Sequence, residues 1–280
     1  IHTQNKNQIN FLLNNYSCIG VEVLISSGNS GSVYVIYHKL SIINGMINKV
    51  SIVIPVYNEE NTVEKIISKV RGADVLGLEK EIVCVNDCST DSSKEVLETL
   101  APKYDLSVYS QEVNKGKGAA IRRGFKEAKG EIIIIQDADL EYNPDEYKLL
   151  LKPIVEDGMD VVYGSRFLLA GPHKVLHFWH SLGNKFLTLL SNMFTNLSLT
   201  DMETCYKVFK KDLLGNFDLH ENRFGFEPEF TAKLAKIKGI KIFEIPISYN
   251  HRSYEEGKKI NWKDGVRAIY CIVKYSIIRK

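Results

Sequence analysis

From Lys49 onward, short apolar runs alternate with segments whose apolar residues recur every three or four positions. That alternation marks parallel strands joined by crossover helices. Residues 51–56 read as the first strand, and 61–70 as a helix with Val63, Ile66, Ile67 and Val70 on one face. Strands follow at 81–85 and 106–109, separated by a helix through Val96, Leu97 and Leu100 for which Ser89, Thr90 and Asp91 offer caps. A helix over 117–128 follows the glycines at 116 and 118, and four consecutive isoleucines at 132–135 suit a central strand covered on both faces. Asn143 and Pro144 start the next helix as N-cap and first-turn proline, leading to Tyr147, Leu150, Leu151 and Ile154, and a strand follows at 160–163. The second half is less regular, with helices expected at 182–197, 228–237 and 264–278 and strands at 206–209 and 240–247. The expected fold is α/β, a mostly parallel central sheet flanked by helices, whose ligands collect at the carboxyl ends of the strands.

The first 45 residues differ. Lys6, Glu22 and Lys39 are the only charges before Lys49, and Met46 lies just ahead of the first patterned strand. Residues 1–45 are therefore expected to be an atypical extension, not native to the domain at 46–280. The alternative is an accessory hairpin turning at Gly28–Gly31 between 21–25 and 33–37.

Composition narrows the function classes. With 36 basic and 34 acidic residues the net charge is +2, which gives no field of the kind that marks a nucleic-acid binder. Cys18, Cys84, Cys88, Cys205 and Cys271 are odd in number and lack CxxC spacing, as expected of free thiols in a reducing compartment. The apolar stretch at 186–200 is interrupted by Thr188, Ser191, Asn192, Thr195, Asn196 and Ser198, too polar for a membrane span, and no signal peptide is seen. A cytoplasmic location is expected.

The candidate chemistry sits at predicted strand ends. After the isoleucine strand stands Gln136-Asp137-Ala138-Asp139. Residues two apart on an extended segment share a face, so both carboxylates can point into the crevice and suit Mg2+ or Mn2+; the plainer alternative is a pair of solvated carboxylates at a turn. Asn86-Asp87 ends the second strand, where a carboxylate could accept from a base or ribose or simply cap a helix. Pro55-Val56-Tyr57-Asn58-Glu59-Glu60 ends the first, with a turn and cap as its alternative, and Asn114-Lys115-Gly116-Lys117-Gly118 places two lysines and flexible backbone at a helix start, suited to anions.

Taken in order, these segments, with Gly164-Ser165-Arg166, resemble the inverting glycosyltransferase family 2 enzymes of GT-A fold, of the polyprenyl-phosphate sugar synthase kind. The resemblance covers about residues 50–260. It implies a nucleotide-binding half to about residue 166 and an acceptor half from about 167. It implies that Pro55, Tyr57, Glu59, Asp87 and Lys117 line the nucleotide and donor, with Asp137, Ala138 and Asp139 at the metal and diphosphate. Arg166 would face the phosphates. Asn86 stands where the family often has a first aspartate, and Glu141 where many relatives have glutamine. Asp201-Met202-Glu203-Thr204-Cys205-Tyr206-Lys207 is similar to the acceptor loop. The run His251-Arg252 to Lys259 is similar to the late basic loop, so Arg252 and Lys259 would grip an acceptor phosphate, unless that run is only a solvated basic turn.

The implied reaction moves a hexose from a nucleotide-diphosphate sugar, of GDP-mannose or UDP-glucose type, to a polyprenyl phosphate with inversion and with Mg2+ or Mn2+. A phosphate oxygen is already anionic, whereas a hydroxyl acceptor on a glycan, the alternative, would need a base, with Asp201 or Glu203 the candidates. A sugar nucleotidyltransferase, a DxD phosphatase and a silent nucleotide-sugar-binding module are weaker rivals. Around Trp179 and through Leu182, Phe186 and Leu190, and again where Val266, Ile269 and Tyr270 alternate with Lys263, Arg267 and Lys274, the chain has the character of interfacial helices. Peripheral attachment to the inner face of the cell membrane is the expectation, with ordinary core packing as the alternative.

Overall fold

The computed structural model describes residues 47–168, 175, 178–251 and 262–278, together with the backbone of two strands nearer the start. The chain falls into two compact units, Ile1–Ile47 and Asn48–Lys280. In the first, β1 (Val23–Ser27) and β2 (Val33–Tyr37) pair antiparallel with Val23 opposite Tyr37.

The second unit is built on seven strands: β3 (Lys49–Val56), β4 (Glu79–Asn86), β5 (Leu106–Ser110), β6 (Ile132–Ile135), β7 (Val161–Ser165), β8 (Lys207–Lys210) and β9 (Ile242–Pro246). Their order across the sheet is β5-β4-β3-β6-β8-β7-β9. Neighbours among β3 to β6 are parallel, as are β7 and β9, while β8 runs antiparallel to both β6 and β7. Ile132 to Ile135 are at most 1% exposed, and Val50, Ile52, Val53 and Ile54 are wholly buried, which is why these strands read as unbroken apolar runs. Helices α1 (Val63–Gly72), α2 (Ser93–Tyr104), α3 (Lys117–Glu127) and α4 (Tyr147–Val155) lie in the first half, and α5 (Phe178–Thr195), α6 (Phe226–Leu234) and α7 (Trp262–Ile277) in the second.

The antiparallel strand has a positional consequence. Tyr163 pairs with Lys207 and Val161 with Phe209, so β8 begins at the sheet edge where β7 ends. Between them, α5 and the turn at 201–205 form an excursion over the carboxyl end of the sheet. Periodicity carries no sign of strand direction, so the sequence pattern does not reveal this reversal.

Helix α5 is apolar on the outside. Thr188 and Ser191 are its buried residues, while Phe178, Trp179, Phe186, Leu189 and Met193 are each more than half exposed. It packs against α7, which buries Ala268, Cys271, Ile272 and Tyr275 and leaves Val266, Ile269, Tyr270 and Ile277 outside. Among the described residues no helix is long and apolar enough to cross a membrane.

Candidate active site

Strands β3 and β6 are neighbours, yet β3 leads to β4 and β5 on one side while β6 is flanked by β8 and β7 on the other. Such a switch leaves a crevice at the carboxyl ends of the two strands. A cavity of about 690 Å3 lies there. Of the residues singled out from sequence, Pro55, Tyr57, Glu59, Asp87, Lys117, Asp137, Ala138, Asp139, Arg166 and Glu203 line it. Asp201 stands behind the lining, and Arg252 and Lys259 lie outside the described residues.

At the β3 and β4 ends, two loops are stitched together. Asn58, in the left-handed region with φ 52°, donates its backbone N–H to Ser89 Oγ at 3.0 Å and accepts from Thr90 N at 2.8 Å, while Glu59 N donates to Ser93 Oγ at 2.7 Å. Asp87 is 2% exposed, and its carboxylate accepts from Gln111 Nε2 at 2.9 Å, Lys115 N at 2.9 Å and Gly116 N at 2.6 Å. Burial pushes its pKa up and these backbone donors oppose the shift. Asp87 therefore shapes the loop before α3 while itself lining the cavity. Gly116 has φ +97°, and a Cβ there would meet Asn222 O at 2.6 Å, so the loop needs glycine both for backbone angle and for close approach.

The β6 end is fixed from beneath. Tyr147 and Tyr206 hydroxyls both donate to Gln136 Oε1, at 2.7 and 2.8 Å. Beyond it, Asp137 faces Lys117, whose Nζ lies 2.9 Å from Oδ1 and 3.0 Å from Oδ2, and the same ammonium is 3.3 Å from Glu227 Oε1. Burial works against the Lys117 charge, but its acidic neighbours, Asp137 foremost and Glu227 among them, outweigh it and hold the amine protonated. Leu140 takes φ 64°, turning the chain so that Asp139 Oδ1 accepts from Glu141 N at 3.1 Å. Glu141 in turn accepts from Tyr249 Oη at 2.6 Å, and that ring lies 5.2 Å from the Arg166 guanidinium.

Among the described residues no three His, Cys, Asp or Glu side chains converge as a metal site. The oxygen donors Asp137 and Asp139 on one wall fit a hard cation shared with a ligand's phosphates, the way Mg2+ is commonly held, better than one caged by protein alone.

On the far wall, the Arg166 guanidinium grips Asp201 through Nε at 2.6 Å and NH2 at 2.7 Å, and Arg166 N adds a third bond at 3.0 Å. Asp201 is wholly buried and committed to that pair, so of the two acids expected to serve a hydroxyl acceptor only Glu203 reaches the cavity. Glu203 sits in the turn whose Met202 and Thr204 carbonyls both accept from the buried Lys207 ammonium. Burial, then the neighbouring Glu227 charge, lifts its pKa to about 8. Sequence reasoning missed Glu227 and Tyr249. Glu227 opens a helix next to Glu229, where acids are ordinary cap residues, and only the fold brings it to Lys117.

Residues 51–217 match glycosyl transferase family 2. The chain belongs to that family. Its curated family 2 relatives include a dolichol-phosphate mannosyltransferase of Pyrococcus furiosus, 31% identical over 81% of this chain and 64% of that protein. A dolichyl-phosphate beta-glucosyltransferase of Trichomonas vaginalis is 29% identical over 82% of this chain and 73% of its own length, and an undecaprenyl-phosphate 4-deoxy-4-formamido-L-arabinose transferase of Proteus mirabilis 28% over 76% and 63%. The chain thus spans under two thirds of two of these three relatives. Among solved structures, glucosyl-3-phosphoglycerate synthase of Mycobacterium tuberculosis, crystallised with Mn2+, UDP and phosphoglyceric acid, superposes with a TM-score of 0.63 at 18% identity, covering 83% of this chain and 80% of that one. The fold is GT-A, a mostly parallel seven-stranded sheet flanked by helices.

Proposed function

We propose that this family 2 glycosyltransferase moves a hexose from a nucleotide-diphosphate sugar to a polyprenyl phosphate in a single, inverting displacement. The observation that carries the reading is one cavity lined together by residues of the β3 and β4 loops, by Asp137 and Asp139, by Arg166 and by Trp179 of α5. The loop residues suit a nucleotide, and Arg166 with Trp179 suits an apolar chain that carries an anion. Relatives named for dolichyl- and undecaprenyl-phosphate transfer support that assignment.

In this reading Tyr57 and Glu59 border the base and ribose, and the Asp87-braced loop presents Lys117 toward the diphosphate. Mg2+ or Mn2+, held by Asp137 and Asp139, would neutralise charge growing on the leaving diphosphate. Asp201 fixes one edge of the Arg166 fork, and the remaining N–H groups serve the acceptor phosphate. A phosphate oxygen needs no base to become a nucleophile, so Asp201 is free to act only as the guanidinium's anchor. Arg252 and Lys259 remain candidates for the same phosphate. The exposed apolar faces of α5 and α7, flanked by Lys263 and Arg267, would rest on an anionic membrane surface.

The test incubates the full chain with radiolabelled GDP-mannose or UDP-glucose, Mg2+ and undecaprenyl phosphate. Label extracted into organic solvent, β-linked by NMR and lost in Asp139→Ala, is the expected outcome. Label confined to a glycan product, or an α-linkage, would overturn the reading.

A further inference from the structure

Beyond Lys117 the cavity floor carries two acids that the steps above leave unused. Glu227, in the first turn of α6, is 4% exposed; its Oε1 faces Lys117 and its Oε2, shielded from solvent, has no hydrogen-bond partner among the described residues. Glu203, from the 201–205 turn, has its Oε1 equally shielded and unpartnered. Both line the cavity, and of the charges around Glu203 that of Glu227 acts on it most strongly. A buried polar atom left without a partner is costly, more so when charged, so two on acids that line one cavity call for a ligand that completes them.

Their chemistry selects the ligand. The unpartnered Glu227 oxygen is an acceptor that neither an ionised phosphate nor an isoprenoid chain satisfies, since neither carries a donor. The part of the proposed substrates that carries several neutral O–H donors is the hexose. The contacts agree: the Lys117 ammonium touches both Asp137, placed at the diphosphate in the reading above, and Glu227, so Glu227 lies one side chain from that diphosphate. Resting on the reading above, we propose that Glu203 and Glu227 form the hexose subsite of the donor and set which nucleotide sugar is accepted. Burial holds Glu203 toward its protonated form, so the pair offers a hydroxyl donor beside a carboxylate acceptor. Both are rigidly mounted, Glu203 over the Lys207 ammonium and Glu227 on a helix turn against Lys117.

Calorimetric titration of the full chain with UDP, GDP, UDP-glucose and GDP-mannose in Mg2+ tests this, in wild type, Glu203→Gln and Glu227→Gln. In the variants, affinity for the sugar nucleotide that wild type binds should fall about tenfold or more, as for lost hydrogen bonds to a charged group. In Glu203→Gln, affinity for the matching nucleoside diphosphate should stay within about twofold of wild type; in Glu227→Gln, which also loosens Lys117, the sugar nucleotide should lose at least about tenfold more than the nucleoside diphosphate does. Equal losses for both ligands, or no loss for either, would overturn the proposal while leaving the transferase reading intact. If wild type binds none of the four nucleotides, that reading falls and the subsite falls with it. The two variants are independent, so one that fails to fold leaves the other to decide.

Discussion

Arg166 and Asp201 face each other almost without water, their side chains 6% and 0% exposed. Removing one member of such a pair strands a charge, and Asp201→Ala should lower unfolding stability by about 3–5 kcal/mol, read by urea denaturation. Arg166→Lys keeps the charge but not the fork, so it should weaken the polyprenyl-phosphate KM more than the nucleotide-sugar KM. Glu203 makes a pH prediction. Its pKa in the folded protein, about 8, lies above the ordinary 4.5, so the fold binds a proton that the unfolded chain releases. The stability this adds is complete below pH 4.5 and is lost as pH rises through 8, by at most about 1.4 kcal/mol per pH unit. Wild type should therefore lose stability between pH 5.5 and 7.5 relative to Glu203→Gln, and parallel curves for the two would contradict the assignment.

At the scale of elements, the approach of the 221–223 segment to the loop before α3 is the most exacting contact. Gly116→Ala adds a Cβ 2.6 Å from Asn222 O on a backbone with φ +97°, and should cost about 1–3 kcal/mol of stability. Calorimetry should show weakened nucleoside-diphosphate binding as well, because the same loop carries Lys117. The strands and first-half helices were legible in the sequence because burial on both faces writes unbroken apolar runs, as in β3 and β6, and burial on one face writes a helical repeat, as in α1. The observed bounds differ from the expected ones by a few residues; α5 begins four residues earlier, at Phe178, since its buried positions are Thr188 and Ser191 and its apolar side faces out. The Asp137 and Asp139 wall was equally legible, because both carboxylates lie on one short segment. Asp87 was legible as a strand-end carboxylate but not as the brace of a loop 24 to 29 residues away. Glu227 could not be read at all, since its significance lies in contact with Lys117 from another helix.

Across the whole molecule, α5 and α7 both line the cavity that holds Arg166, through Trp179 and Leu187 and through Gly265 and Ala268, and each leaves apolar residues exposed. Burying even one large aromatic side chain is worth about 1.5–3 kcal/mol, so Trp179→Ala with Phe186→Ala should reduce co-sedimentation with phosphatidylglycerol vesicles at least about tenfold. Nucleotide binding should be unchanged by that pair. Binding that survives both substitutions would assign these faces to another role. The central claim is that the acceptor is a phosphate brought by a lipid to Arg166. Comparing initial rates on undecaprenyl phosphate and undecaprenol, in the same vesicles and with the same labelled donor, tests it most directly. The account predicts transfer to the phosphate and none above background to the alcohol; equal transfer to both would contradict it and return a base at Glu203 to the centre of the chemistry.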